Sequence, residues 1–120
     1  MSFEQFSLDS RLDRAVDAVG FETPTPIQEQ AIPIVLEDRD ILGIAQTGTG
    51  KTAAFVLPIL QRLTTGPLRQ VRALILAPTR ELAKQTQEVF SELGKHTKVR
   101  SITVYGGVSR NRQVAALRRG

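Results

Sequence analysis

The sequence contains no cysteine and no tryptophan, and only one methionine, one tyrosine and one histidine. Without cysteine there are no disulfides, no thiolate-held zinc, no iron–sulfur cluster and no thiol nucleophile. His96 stands alone, so no histidine cluster offers itself to a metal. No apolar run approaches the ~18 residues of a membrane span. The start, Met1-Ser2-Phe3-Glu4-Gln5, lacks the basic residues and apolar stretch of a secretory signal. A cytoplasmic protein with no membrane partner is the expectation. The 120 residues, 41% hydrophobic and 23% charged, allow one modest core and at most one domain.

Charge is plentiful but unevenly placed. Residues 1–40 carry nine acids against Arg11, Arg14 and Arg39, a net −6. Residues 41–120 carry thirteen Lys and Arg against Glu81, Glu88 and Glu92, a net +10. Such a basic stretch fits an anionic partner, whether nucleotide, nucleic acid or acidic protein. Solubility alone is the plainer explanation.

The apolar spacing of Leu8, Leu12, Ala15, Val16 and Val19 predicts a helix capped by Asp9 or Ser10 and ended by Gly20. A second helix is predicted from Pro26, with Thr25 as its N-cap, to about Leu36. Pro33 inside it is a kink or a break. Residues 40–45 read as a short buried strand, followed by a glycine-rich turn. Next comes a helix with Phe55, Val56, Ile59, Leu60 and Leu63 on one face and Pro58 inside it. Residues 72–77 and 99–105 read as two further strands. A helix with Leu82, Val89, Phe90 and Leu93 lies between them, closed by Gly94. A last basic helix starts near Ser109 or Asn111. Strands alternating with helices predict an α/β fold with a parallel sheet.

Ala45-Gln46-Thr47-Gly48-Thr49-Gly50-Lys51-Thr52 lies between a predicted strand and a predicted helix, the context of a phosphate-binding loop. Gly48 and Gly50 let backbone N–H groups turn inward around phosphate oxygens. The helix N-terminus adds partial positive charge. Lys51 is placed to reach the β- and γ-phosphates, and the Thr52 hydroxyl to ligate Mg²⁺. Ala45 departs from the generic pattern, which has glycine there.

Upstream, the segment Phe21 to Gln28 reads by itself as a helix boundary, with Gln28 on its surface. A glutamine amide also has the donors and acceptor to read the exocyclic amine and ring nitrogen of adenine, a pattern guanine does not present. Pro78-Thr79-Arg80-Glu81-Leu82 follows the second predicted strand, at the end where open α/β sheets bind ligands. It is either a helix cap or a phosphate grip by Thr79 and Arg80. Tyr105-Gly106-Gly107 follows the third strand and is either a turn or a place where a ligand closely approaches the backbone.

In this order and spacing, the four elements resemble the DEAD-box family of ATP-dependent RNA helicases, bacterial members above all. Phe21 to Gln28 resembles the Q motif, and Phe3 its isolated upstream aromatic. Ala45 to Thr52 resembles motif I, which in this family also begins with alanine. Pro78 to Leu82 resembles motif Ia, and Gly106-Gly107 the glycine doublet. The resemblance implies a P-loop NTPase of RecA-like α/β fold. It implies a Q-motif region over residues 1–38 and an incomplete ATP-binding domain over 39–120. Phe3 and Phe21 would pack near adenine and Gln28 would hydrogen-bond it. Gln46, Thr47, Gly48, Thr49, Gly50, Lys51 and Thr52 would hold the ATP phosphates and Mg²⁺. Thr79, Arg80 and Gly107 would contact the RNA sugar–phosphate backbone without regard to sequence.

Asp-Glu-Ala-Asp, Thr-Pro-Gly-Arg and Ser-Ala-Thr, which the family also carries, do not occur in these residues. In family terms the chain corresponds to the N-terminal half of the first of two RecA-like domains. It would supply ATP and RNA contacts to an enzyme that couples hydrolysis to duplex unwinding, and would be inactive alone. Two alternatives stand beside this. One is a non-catalytic nucleotide- or RNA-binding stub. The other is a P-loop NTPase of another class, such as a small kinase.

Overall fold

In a computed structural model describing residues 2–48 and 50–120, the described residues form a short 3-10 helix and five α-helices. Phe3–Phe6 forms a short 3-10 helix. Helix α1 spans Ser10–Ala18 with Asp9 as N-cap. The Asp9 carboxylate accepts from the Arg11 backbone N–H at 2.9 Å and from its guanidinium at 2.9 Å. These hydrogen bonds to Arg11 hold the Asp9 carboxyl below its ordinary range, at about 2.

Helix α2 spans Pro26–Leu36, with extended Thr25 as N-cap. Pro33 neither ends nor splits it. Helix α3 spans Lys51–Leu63 after Gly50, whose φ of 81° is left-handed. Helix α4 spans Arg80–Leu93. Its N-cap Thr79 accepts from the Leu82 N–H at 3.1 Å, and Gly94 stands at its C-cap. Helix α5 spans Arg110–Arg119, with Ser109 at its N-cap and no fully buried residue.

Helix α3 is the central element, with α1, α2 and α4 all packed on it. Leu12 and Val16 of α1, Ile32 of α2, Val56, Leu57 and Leu60 of α3, and Phe90 and Leu93 of α4 make one core. Phe3 and Phe6 close its N-terminal side. Burial of such side chains contributes ~1.5–3 kcal/mol each. Arg72 donates to the carbonyls of Thr65 (2.7 Å) and Arg62 (3.3 Å), satisfying the C-terminal end of α3. Arg62 in turn pairs with Asp38 at 2.6 Å.

The expected parallel sheet is not formed. Among the described residues there is no strand, and no backbone hydrogen bond joins 40–46, 71–77 and 99–105. Leu42 is 87% exposed and Leu76 86%, and Ile44 and Leu74 are nearly as open. The reason is physical. Local composition gives strand character, but a strand exists only when neighbours take its N–H and C=O groups. Among the described residues these segments exchange no backbone hydrogen bond, so each runs without a ladder and with much of its apolar surface bare. No helix of the described residues is long and apolar enough to cross a membrane.

Candidate nucleotide and nucleic-acid site

Two groups of the expected site residues come together, at the start of α3 and at the start of α4. At α3, Gly48 and Gly50 have φ of 83° and 81°. Only glycine takes this conformation without strain. It turns the chain sharply into the helix, whose first N–H groups have no side-chain cap from Gly50. Lys51 is exposed and forms no ion pair among the described residues, and Thr52 beside it is half-buried. Gln46 and Thr47 are exposed on the approach. Thr49, expected to help hold phosphate, lies outside the described residues.

Gln28 is 3% exposed rather than on a helix surface. Its Oε1 accepts from the Thr25 N–H at 3.0 Å, and its Nε2 donates to the Gly50 carbonyl at 3.2 Å. One amide thus closes the start of α2 and ties it to the glycine turn before α3. The Thr25 hydroxyl is buried beside them without a hydrogen-bond partner among the described residues. A Cβ at Gly50 would strike this corner, with Thr25 Oγ1 3.1 Å away. The sequence signal for the inward bond is Thr25-Pro26-Ile27-Gln28, the Thr-x-x-Gln spacing of a capping box.

The aromatics divide. Phe3 is buried, with its ring stacked on Phe21 at 5.9 Å between centroids and edge-on to Phe6 at 5.8 Å. Phe21 is 37% exposed and presents the open face of the pair. Of the two residues expected near a base, Phe21 has an accessible ring and Phe3 supports it from the core.

At α4 the structure joins two motifs 26 residues apart. Arg80 donates to the Gly106 carbonyl, and its guanidinium carbon lies 5.6 Å from the Tyr105 ring centre. Gly107 has φ of 78°, and a Cβ there would approach Arg80 Nη2 to 3.0 Å. Thr79 is exposed, and its oxygen caps α4. A hydroxyl that accepts in this way still has its O–H to donate. Gln113, which holds this corner through the Tyr105 peptide, was missed in the sequence and has no local pattern that marks it. No cluster of three His, Cys, Asp or Glu side chains able to hold a metal occurs among the described residues.

This geometry can be set beside known proteins. Residues 25–120 match the DEAD/DEAH box helicase family. The chain is 50% identical over 119 residues to the ATP-dependent RNA helicase CshA of Limosilactobacillus reuteri, covering 98% of this chain and 24% of that protein. It is 47% identical over 116 residues to the ATP-dependent rRNA helicase rrp3 of Schizosaccharomyces pombe, covering 97% and 25%. The RNA helicase Prp28 of Chaetomium thermophilum, solved with ADP, superimposes with a TM-score of 0.88 at 42% identity, covering 99% of this chain and 30% of that one. The chain therefore spans about a quarter of the length of the sequence relatives it matches. With a match reaching from Thr25 to Gly120, the chain belongs to the DEAD/DEAH box helicase family.

Proposed function

We propose that this chain carries ATP contacts and part of the RNA contacts of an ATP-dependent RNA helicase. In this reading it is the N-terminal part of the first RecA-like α/β domain. Residues 1–38 form the Q-motif region and 39–120 begin the ATP-binding domain. The observation that carries the reading is the Gln28 amide on the Gly50 carbonyl, which connects a base-reading segment to a phosphate loop. Location in the cytoplasm belongs to the same proposal.

ATP binds with its phosphates at the start of α3. The turn at Gly48 and Gly50 and the uncapped first N–H groups of α3 receive the oxygens, and the Lys51 ammonium neutralises the β and γ charge. Gln46, Thr47 and Thr49 complete this loop. The donor set fits Mg²⁺ held mostly by phosphates and water, since Thr52 offers one hydroxyl and no carboxylate cluster stands nearby among the described residues. When bound, Mg²⁺ neutralises charge on the transferred phosphoryl group, with Thr52 as its ligand from this chain. The adenine lies against Phe21, backed by Phe3, where Gln28 reads its edge. In hydrolysis, a bond forms from water oxygen to the γ-phosphorus and the bond to the β,γ-bridging oxygen breaks. The carboxylate that orients the water and the arginines of a second domain are not among these residues.

Thr79, Arg80 and Gly107 form the RNA side. Their groups suit phosphates and sugars, which carry no sequence information. RNA binding here is therefore sequence-independent.

Two substitutions in the complete gene product test the two halves. Gln28→Ala should weaken ATP binding by about 1–3 kcal/mol, through the lost base contact and the unpaired Gly50 carbonyl. Equal turnover of GTP and ATP by the unsubstituted protein would remove Gln28 from base recognition. Arg80→Ala should weaken RNA binding by a similar factor on every sequence. It should also flatten the logarithmic salt dependence by about one phosphate contact. Weakened ATP binding with unchanged RNA affinity would move Arg80 to the nucleotide side.

A further inference from the structure

The Gly106–Gly107 turn is held by Gln113, which has no role in the function proposed above. Gln113, in the first turns of α5, accepts the Tyr105 N–H on Oε1 at 2.7 Å and donates from Nε2 to the Tyr105 carbonyl at 3.2 Å. A primary amide set against one residue in this way satisfies both of its backbone polar groups, as an adjacent strand would. The remainder of 99–105 has no such ladder. Gln113 therefore supplies locally what the missing sheet does not.

The contacts continue from there to Arg80. Beyond this peptide, the Tyr105 ring faces the Arg80 guanidinium at 5.6 Å. The next carbonyl, that of Gly106, accepts from the same guanidinium. The next residue, Gly107, is left-handed and leaves room for it. Arg80 has five N–H donors and uses one on Gly106, so the others are available to phosphate oxygens. A guanidinium already held in place loses less side-chain freedom on binding than a free one.

We propose that Gln113 is a positioning residue of the RNA-binding site. It sets the Gly106–Gly107 turn through the Tyr105 peptide and holds the Arg80 guanidinium through the Tyr105 ring. This inference rests on the reading of Arg80 and Gly107 as RNA contacts. It adds a residue outside the contact surface whose effect passes through them.

The test is a double-mutant cycle in the complete gene product, with single-stranded RNA as the probe. The variants are Gln113→Met, which keeps length without the amide, Arg80→Ala, and the pair. Gln113→Met should raise Kd and KM for RNA by about 2- to 10-fold, the range of one net hydrogen bond. It should keep kcat at saturating RNA, whereas partial unfolding would lower kcat with the folded fraction. Gln113→Glu retains the acceptor for the Tyr105 N–H but not the donor, and should fall between wild type and Gln113→Met. The double variant should bind RNA no more weakly than Arg80→Ala, because both act through one guanidinium. Full additivity, or an unchanged RNA affinity in Gln113→Met while Arg80→Ala is impaired, overturns the positioning role alone. An unchanged affinity in Arg80→Ala overturns the RNA reading beneath it, and the inference with it.

Discussion

Replacing Lys51 by alanine in the complete gene product is expected to lower ATP turnover by at least about 10²-fold, the usual scale for removing one electrostatic group at a phosphoryl centre. Lys51 is the first residue of α3, directly after a left-handed glycine. Its ammonium is exposed and has no carboxylate partner among the described residues, so the fold does not use it elsewhere. The variant should fold normally, because the side chain contributes nothing to the core around Val56, Leu57 and Leu60. The measurement is phosphate release at saturating ATP and RNA, with the thermal midpoint as a control. Turnover within about twofold of wild type would mean that the glycine turn before α3 is not the phosphate site.

An equally large effect is expected when residues 1–120 are purified alone. No phosphate release above background should be seen, with or without RNA. In the proposed reading Lys51 and Thr52 hold phosphates while the carboxylate that orients the attacking water lies outside these residues, so several groups worth ~10²-fold or more would be lost together. Stability works in the same direction. Leu42, Ile44, Leu74 and Leu76 are largely exposed on segments with no ladder partners. Bare apolar segments with open backbone groups associate with one another. The isolated chain should therefore aggregate at concentrations where the complete product stays monodisperse by light scattering. RNA-stimulated turnover by residues 1–120 that disappears with Lys51→Ala would show a self-sufficient catalyst.

What could be read from the sequence was local. Pro26 with Thr25 before it, and Thr79 before Arg80, set helix starts through residues one to three positions apart. The structure begins α2 and α4 there. Gly48 and Gly50 were legible because glycine takes a positive φ at the least cost. Strands were misjudged for the opposite reason. Residues 72–77 have the composition of a buried strand, but pairing depends on a neighbour elsewhere in the fold. Gln28 was half legible, since its chemistry suits a base edge and its spacing from Thr25 also marks a capping box. That its other end reaches the Gly50 carbonyl, 22 residues on, had no local signature. The same holds for Gln113, whose partner is fixed only once α5 folds back toward Tyr105.

The central claim is that one surface of this chain serves ATP and another serves RNA, and that in the complete gene product the two are coupled. The most direct measurement is steady-state phosphate release by that product, with ATP or GTP, across a titration of single-stranded RNA of unrelated sequences. The account predicts ATP turnover that rises with RNA to a plateau, with the same plateau for each sequence, and little turnover of GTP. ATP turnover that is the same with and without RNA would contradict it and assign the Gly48–Thr52 loop to a P-loop enzyme of another kind.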